Sequence, residues 1–460
     1  MAVPTSSPPE HLENDIAREA SLPNHDPPAD SSTAALVKDH TQYMVATYVR
    51  PPPMMVKGQG CHIWDIENRR YLDFTAGIAV NALGHCDPAI SQIISSQAKT
   101  LIHTSNLYHN PWTGSLCKLL IEATLNSGGM ATASKAFISN SGTEANEAAI
   151  KFAKKYAKVA HPANKEKYEI LSFHNSFHGR TLGALSATPN PKYQAPFSPL
   201  LPGFHSIPFD TPTDQLATHI TPNTAGVIIE PIQGEGGVNT APPEFLTALR
   251  HRCNDVGAVL IYDEIQCGLS RTGTLWAHST LPREAHPDII TTAKALGNGF
   301  PIGGTIVSED VARAVVTGDH GTTFGGNPLG SRVAHHIVER LADPGLQGEV
   351  REKERVFRDG FERLRQRFPG VVTEVRGRGL LLGVQLSRDP TPVITAARER
   401  GLLIISCGRN TLRFAPPLII SKEEIEEGLG MLESAMEAVF VEEERIEGTR
   451  GQQEMAPPGR

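Results

Sequence analysis

A chain of 460 residues, 39% of them hydrophobic, can bury a sizeable core and has the length of about two to three domains. Its 43 basic and 50 acidic residues give a net charge of −7, without the basic excess expected of a nucleic-acid-binding protein. No apolar run approaches the ~18 residues that cross a bilayer, and the six cysteines and 18 histidines form no C-x-x-C or H-E-x-x-H spacing, so membrane spans, disulfide frameworks and metal sites are not expected.

Residues 1–40 hold six prolines and seven acids against only Arg18 and Lys38, and are expected to be a disordered tail. An import leader would be basic and poor in acids, which this segment is not. Over 41–87, the runs 61–65 and 70–74 predict a hairpin turned at Glu67 and Asn68. From 88 to 344, helices alternate with short apolar strands at 136–139, 169–173, 226–230, 259–263 and 289–292. That alternation predicts an α/β domain with a mostly parallel sheet. Residues 345–445 read as an α+β unit: a charged helix over 349–368, strands near 371–375 and 380–386, another helix, and a strand at 411–415. Residues 446–460 are polar and expected to form a disordered tail.

Two residues organise the chemistry. Asp263 closes one apolar strand and Lys294 follows the next, so in a parallel sheet both face the crevice at one sheet edge. A lysine that forms a Schiff base and a carboxylate that holds a pyridinium nitrogen protonated are what pyridoxal phosphate requires. A solvated surface lysine is the usual alternative, and other motifs must decide.

Ser141, Gly142 and Thr143 join a strand to a helix whose Ala145, Ala148, Ala149, Phe152, Ala153 and Tyr156 share one face. Free amides at such a helix start bind anions, and Gly142 admits a phosphate to the backbone. A capped helix without a ligand is the alternative. After the strand at 169–173, Phe177 could stack on a planar heterocycle and Arg180 offers a fork for a carboxylate. The strand ending at Glu230 runs into a glycine-rich loop carrying Glu235; two acids near an arginine could gate charge, a turn with solvated acids is the alternative, and Glu235, set among glycines, has the better functional case. Gln266 lies three positions after Asp263, within reach of the same ligand. The stretch from Gly321 to Pro328, with Thr322 and Thr323, could close over a phosphate. Arg413 alternates with apolar neighbours, and an inward arginine requires a carboxylate partner. The glycines at 377, 379 and 383 miss the spacing of a dinucleotide fingerprint, and the absence of any Gly-Lys dipeptide excludes a Walker-type loop.

Taken together, the stretch 74–85, Asn140 to Ala145, Phe177 to Arg180 and Gly321 to Pro328 resemble a class III pyridoxal-phosphate aminotransferase over about residues 43–435, and within it the acetylornithine branch. The resemblance implies fold type I: a large domain with a mostly parallel sheet beside a small α+β domain built from both chain ends. It also implies a homodimer with active sites at the subunit interface. In that likeness Ser141, Gly142 and Thr143 take the phosphate, and Thr323, with Thr322 nearby, reaches it from the partner subunit. Phe177 stacks on the ring, with His178 beside it; Asp263 pairs with the ring nitrogen, Gln266 approaches the ring hydroxyl, and Lys294 carries the cofactor. Arg180 takes the substrate carboxylate remote from the reacting amine. Arg413 takes the α-carboxylate of glutamate, and Glu235 pairs with Arg413 when the donor lacks one.

The activity so implied is transfer of the δ-amine of N-acetylornithine to 2-oxoglutarate, giving N-acetylglutamate 5-semialdehyde and glutamate for arginine biosynthesis. The runner-up is ornithine or another ω-amine; ornithine enzymes carry an aromatic residue at Ile78 and a tryptophan at His178, so both positions favour the acetylated donor. Cys267 and Ser270 depart from the commoner residues of their motif and bear on fine specificity. A non-catalytic relative kept as a binding or scaffold protein would have lost Asp263 or Lys294, and both are present. Eukaryotic members act in the mitochondrial matrix, which is the expected location, with the cytoplasm as the alternative.

Overall fold

The computed structural model describes residues 24–454. Its strands are β1 (Met55–Gln59), β2 (His62–Asp65), β3 (Arg70–Asp73), β4 (Ala133–Ser139), β5 (Glu169–Phe173), β6 (Phe204–Ile207), β7 (Thr224–Ile229), β8 (Val259–Asp263), β9 (Ile289–Thr292), β10 (Gly303–Ser308), β11 (Val372–Arg378), β12 (Leu381–Leu386), β13 (Leu402–Leu403), β14 (Ile405–Cys407) and β15 (Thr411–Phe414).

The large sheet runs β4-β10-β9-β8-β7-β5-β6. Its five strands from β9 to β6 are parallel, while β10 is antiparallel to both β4 and β9. Helices cover both faces, which is why the central strands are near-continuous apolar runs. Ile228, Val259 and Ile261 meet Ala149, Phe152 and Ala153 of the helix Gly142–Ala160. Their strand neighbours Val227, Ile229, Leu260 and Tyr262 point the other way and pack on Phe245, Leu246 and Leu249 of the helix Pro243–Val256. Each such large side chain contributes about 1.5–3 kcal/mol by leaving water.

A four-stranded sheet, β1-β2-β3-β13, joins the two ends of the chain: β13 pairs in parallel with β3, Leu402 opposite Leu72 and Leu403 opposite Asp73. The expected hairpin is the antiparallel pair β2 and β3. A third sheet, β11-β12-β15-β14, is antiparallel throughout. Its Phe414 packs against Phe361 of the helix Pro344–Arg367 with ring centroids 4.7 Å apart. The Gly377 to Gly383 stretch is the end of β11, a turn at Gly379 and Leu380, and the start of β12, so no helix follows it.

The two tails differ from expectation. Residues 1–23 and 455–460 lie outside the described residues, but a helix Ser32–Thr41 stands inside the segment expected to be disordered. Its Ser31 hydroxyl accepts from the Ala34 amide, Thr33 donates to Glu67, and Asp26 pairs with Arg398. Few apolar groups are involved, so hydrophobicity could not reveal this docking. At the other end, the helix Lys422–Glu454 continues through 446–454, where a frayed tail was expected.

Candidate active site

The parallel register places Asp263 of β8 opposite Thr291 of β9, and Lys294 lies two residues beyond β9. Both therefore reach one sheet edge, as crevice residues of an α/β sheet do. They line a cavity of about 360 Å³ together with Ser141, Gly142, Thr143, Phe177, His178, Arg180 and Gln266. The sequence places these residues far apart; strand ends and helix starts bring them together.

One wall is the start of the helix Gly142–Ala160. Ser141 caps it by accepting from the Glu144 amide, while the Glu144 carboxylate reaches one residue further back and accepts from the Asn140 amide at 2.7 Å. The remaining amides and the helix dipole face the cavity wall, a setting for an anion. A Cβ on Gly142 would stand 2.9 Å from Ile265 Cδ1, and one on Gly303 of β10 would stand 2.3 Å from the Ser141 carbonyl oxygen. Only glycine lets this loop sit so close to its neighbours.

Asp263 is 2% exposed. Its Oδ2 accepts from Asn146 Nδ2 and from His178 Nδ1, each at 2.8 Å, and its Oδ1 accepts from the Ile265 amide at 3.1 Å. Asn146 also donates to the His178 carbonyl at 2.7 Å, which fixes the loop bearing the imidazole. The adjacent acid, Glu264, turns to the opposite side of the strand and takes the Ala277 and His278 amides and His278 Nδ1. Strand alternation thus separates a cavity acid from a structural one.

Lys294 opens a single 3-10 turn and has φ of 41°, in the left-handed region that costs a side-chain-bearing residue about 1–2 kcal/mol. Burial, and secondarily the Arg413 guanidinium, depress its ammonium to about 7 against the pull of Glu230, Asp263 and Glu235. The amine is consequently neutral over much of the physiological range.

Arg413, on β15, is 2% exposed and meets the expected carboxylate: its Nη1 lies 3.0 Å from Glu235 Oε2 and donates to the Gly234 carbonyl at 2.8 Å. Gln266 Oε1 stands 3.4 Å from the same nitrogen. Arg180 is exposed, lines the cavity and sits over Tyr193, its Cζ 3.5 Å from the ring centroid. Thr322 approaches the helix start by accepting from Asn140 Nδ2 at 2.9 Å, whereas Thr323 is exposed and does not line the cavity of its own chain. Ile78 is also outside the wall, 44% exposed, within a turn where Ala76, Gly77, Ile78 and Ala79 all have positive φ. Asp73 holds that turn by accepting from the Thr75 and Ala76 amides. Cys267 and Ser270 are buried behind the site, on Glu264 and the Leu341 carbonyl, and neither touches the cavity.

A family model for aminotransferase class-III matches residues 43–436. The chain belongs to the class III aminotransferases. It is 61% identical over 425 residues to the acetylornithine aminotransferase, mitochondrial, of Neurospora crassa, covering 92% of each chain. To the protein of the same name from Saccharomyces cerevisiae it is 46% identical over 409 residues, covering 88% of this chain and 96% of the relative. Among solved structures, the ornithine aminotransferase of Toxoplasma gondii superposes with a TM-score of 0.83 at 34% identity, covering 90% of this chain and 96% of that one. A further Toxoplasma structure, 33% identical with a TM-score of 0.81 and covering 90% and 96% of the two chains, reveals partial occupancy of PLP at its active site. The N-acetylornithine aminotransferase of Stenotrophomonas maltophilia gives 0.74 at 37% identity, covering 88% and 99%. The fold is that of the PLP-dependent aminotransferases, fold type I.

Two residues of this aminotransferase's site, Asn146 and Tyr193, escaped sequence reasoning, and a third, Glu230, was weighed there but passed over in favour of Glu235. Asn146 is fully buried on the alanine face of its helix, and a polar residue on an otherwise apolar face was the available signal. Glu230 follows β7 as Asp263 ends β8, so the same strand-end logic applied to it. Tyr193 carried no signal, because only folding sets its ring beneath Arg180.

Proposed function

We propose that this aminotransferase moves the δ-amino group of N-acetylornithine to 2-oxoglutarate, with pyridoxal 5'-phosphate as cofactor, as a homodimer in the mitochondrial matrix. The unequal state of two arginines carries the choice of a donor whose carboxylate lies far from its reacting amine, and the acetylated donor within that class is supported by the 61% identity to the Neurospora crassa acetylornithine aminotransferase. Arg413 is already paired with Glu235, while Arg180 forms no ion pair among the described residues. A donor with a carboxylate far from its reacting amine finds Arg180 open and leaves Arg413 masked; a dicarboxylate such as 2-oxoglutarate competes with Glu235 for Arg413.

The residues present fit the cofactor. The uncapped amides at Ser141, Gly142 and Thr143 suit its phosphate, Phe177 its ring face, the buried Asp263 carboxylate its ring nitrogen, Gln266 its ring hydroxyl, and Lys294 its aldehyde. When bound, the group withdraws electrons from the carbon that carries the amine. Lys294 Nζ, about half neutral near pH 7, would take the proton from that carbon and deliver it to the carbon that the cofactor's aldehyde supplies. Asp263, oriented by His178 and Asn146, is the carboxylate that would hold the ring nitrogen. Two half-reactions through one site give ping-pong kinetics.

The dimer is supported by apolar Leu107, Tyr108 and Phe324, which are 86%, 71% and 62% exposed. They lie on two segments joined by Asn106, whose amide donates to the Thr322 and Gly325 carbonyls. An apolar patch of this kind marks a contact surface, and a second copy there would bring its Thr322 and Thr323 toward this phosphate site. The unit boundaries we infer are a large domain over 88–344 and a small domain from 41–87 with 345–445. Lys294→Ala tests the chemistry: turnover is expected to vanish, and a variant with near-normal rates would sink the assignment.

A further inference from the structure

We propose that Glu230 is a positioning residue that holds the Glu235 loop against Arg413, and thereby sets the preference of the site for a donor without a carboxylate at its reacting carbon. The inference rests on the reading of Arg413 and Glu235 given above.

Glu230 is 3% exposed and forms no ion pair among the described residues. Its Oε1 accepts from the Phe177 amide at 2.9 Å and its Oε2 from the Gly234 amide at 3.0 Å. An acid buried without a cation is costly, and both amides that offset the cost belong to loops of the active site. Gly234 is gripped from two sides: Glu230 takes its N–H, and Arg413 Nη1 donates to its carbonyl at 2.8 Å. The next residue is Glu235, whose Oε2 lies 3.0 Å from the same Nη1. The loop has no slack toward the cavity either, since a Cβ on Gly234 would fall 2.2 Å from Gln266 Cδ. Glu230 is therefore the fixed post from which Glu235 reaches Arg413. Burial holds its carboxyl above the ordinary carboxylate range, in keeping with a group shielded from solvent.

Glu230→Gln keeps the shape but puts an NH₂ against a backbone N–H, so donor faces donor at one of the two loops. Single-turnover half-reactions of the loaded enzyme with N-acetylornithine and with L-glutamate read the effect, and calorimetry with glutarate, an unreactive dicarboxylate, reads the arginine site apart from catalysis. We expect the ratio of kcat/KM for N-acetylornithine over glutamate to fall at least about tenfold, the equivalent of about 1.4 kcal/mol. Glutarate affinity should hold within about threefold or tighten. A parallel fall of both half-reactions with weaker glutarate binding would make Glu230 merely structural and overturn the proposal, as would no change in either. Glu230→Asp, too short to span both amides, should shift the ratio in the same direction and serves if the first variant does not fold. Glu235→Gln separates the two readings. If it lowers the ratio and tightens glutarate while the Glu230 variants do neither, only the role of Glu230 falls; if it too leaves both unchanged, the reading of the Arg413 pair falls and the proposal with it.

Discussion

Asn146→Leu removes a residue that touches no solvent and acts through Asp263 and the His178 loop. The side chain donates to the Asp263 carboxylate at 2.8 Å and to the His178 carbonyl at 2.7 Å. A hydrogen bond to a charged group is worth about 1.5–3 kcal/mol and a neutral one about 0.5–1.5, so the gross loss is roughly 2–4 kcal/mol. Asn146 Oδ1 has no hydrogen-bond partner among the described residues, and burying leucine instead of that oxygen returns about 1 kcal/mol. The net cost is then about 1–3 kcal/mol, shared between folding stability and the orientation of Asp263. Two assays divide it. Thermal unfolding of the cofactor-free protein should show a lowered midpoint, and the dissociation constant for pyridoxal phosphate should rise about tenfold or more, because Asp263 loses one of the two groups that fix its Oδ2. Asn146→Asp, which sets a second carboxylate against the first, should be worse on both counts. If Asn146→Leu melts and holds cofactor as the parent does, Asp263 is not positioned in the way described.

Two further outcomes follow from the geometry. The rate at which cofactor-free protein takes up pyridoxal phosphate should rise with pH through a midpoint near 7, since the depressed Lys294 ammonium releases its proton there and only the neutral amine attacks; a midpoint above 9, closer to an ordinary lysine, would contradict it. Gly303→Ala drives a methyl to 2.3 Å from the Ser141 carbonyl oxygen, so it should cost about 1–3 kcal/mol and loosen cofactor binding, and melting and retention like the parent's would refute the close-packing argument.

The parts of the molecule governed by local pattern were legible in the sequence. Strands β5, β8 and β9 match the ranges read from apolar runs, because each carries a short core of Ile, Leu or Val, as strands buried on both faces do. β10 was not legible: Gly303, Gly304 and Thr305 look like a loop, and their place between β4 and β9 is fixed by the helix start that packs on them. β6, with His205 and Ser206, is an edge strand whose partner supplies the stability. The helix Ser32–Thr41 was missed for a related reason, since its ties to Glu67 and its neighbours' tie to Arg398 are polar and long-range. In the site, Asp263, Lys294 and the Gly142 turn stood out because backbone position alone puts them at the sheet edge. Asn146 and Tyr193 act by touching other side chains, and Glu230 by holding the amides of two distant loops; such contacts appear only once the chain is folded.

The central claim concerns which amine the site serves, and side-by-side half-reaction rates with N-acetylornithine, ornithine and 4-aminobutyrate test it most directly. Arg413 masked by Glu235 and Arg180 open suit all three as donors with a remote carboxylate; the likeness to acetylornithine aminotransferases predicts that the visible spectrum of the loaded enzyme changes fastest, at equal donor concentration, with N-acetylornithine. Ornithine or 4-aminobutyrate clearly outrunning the acetylated donor would contradict the account.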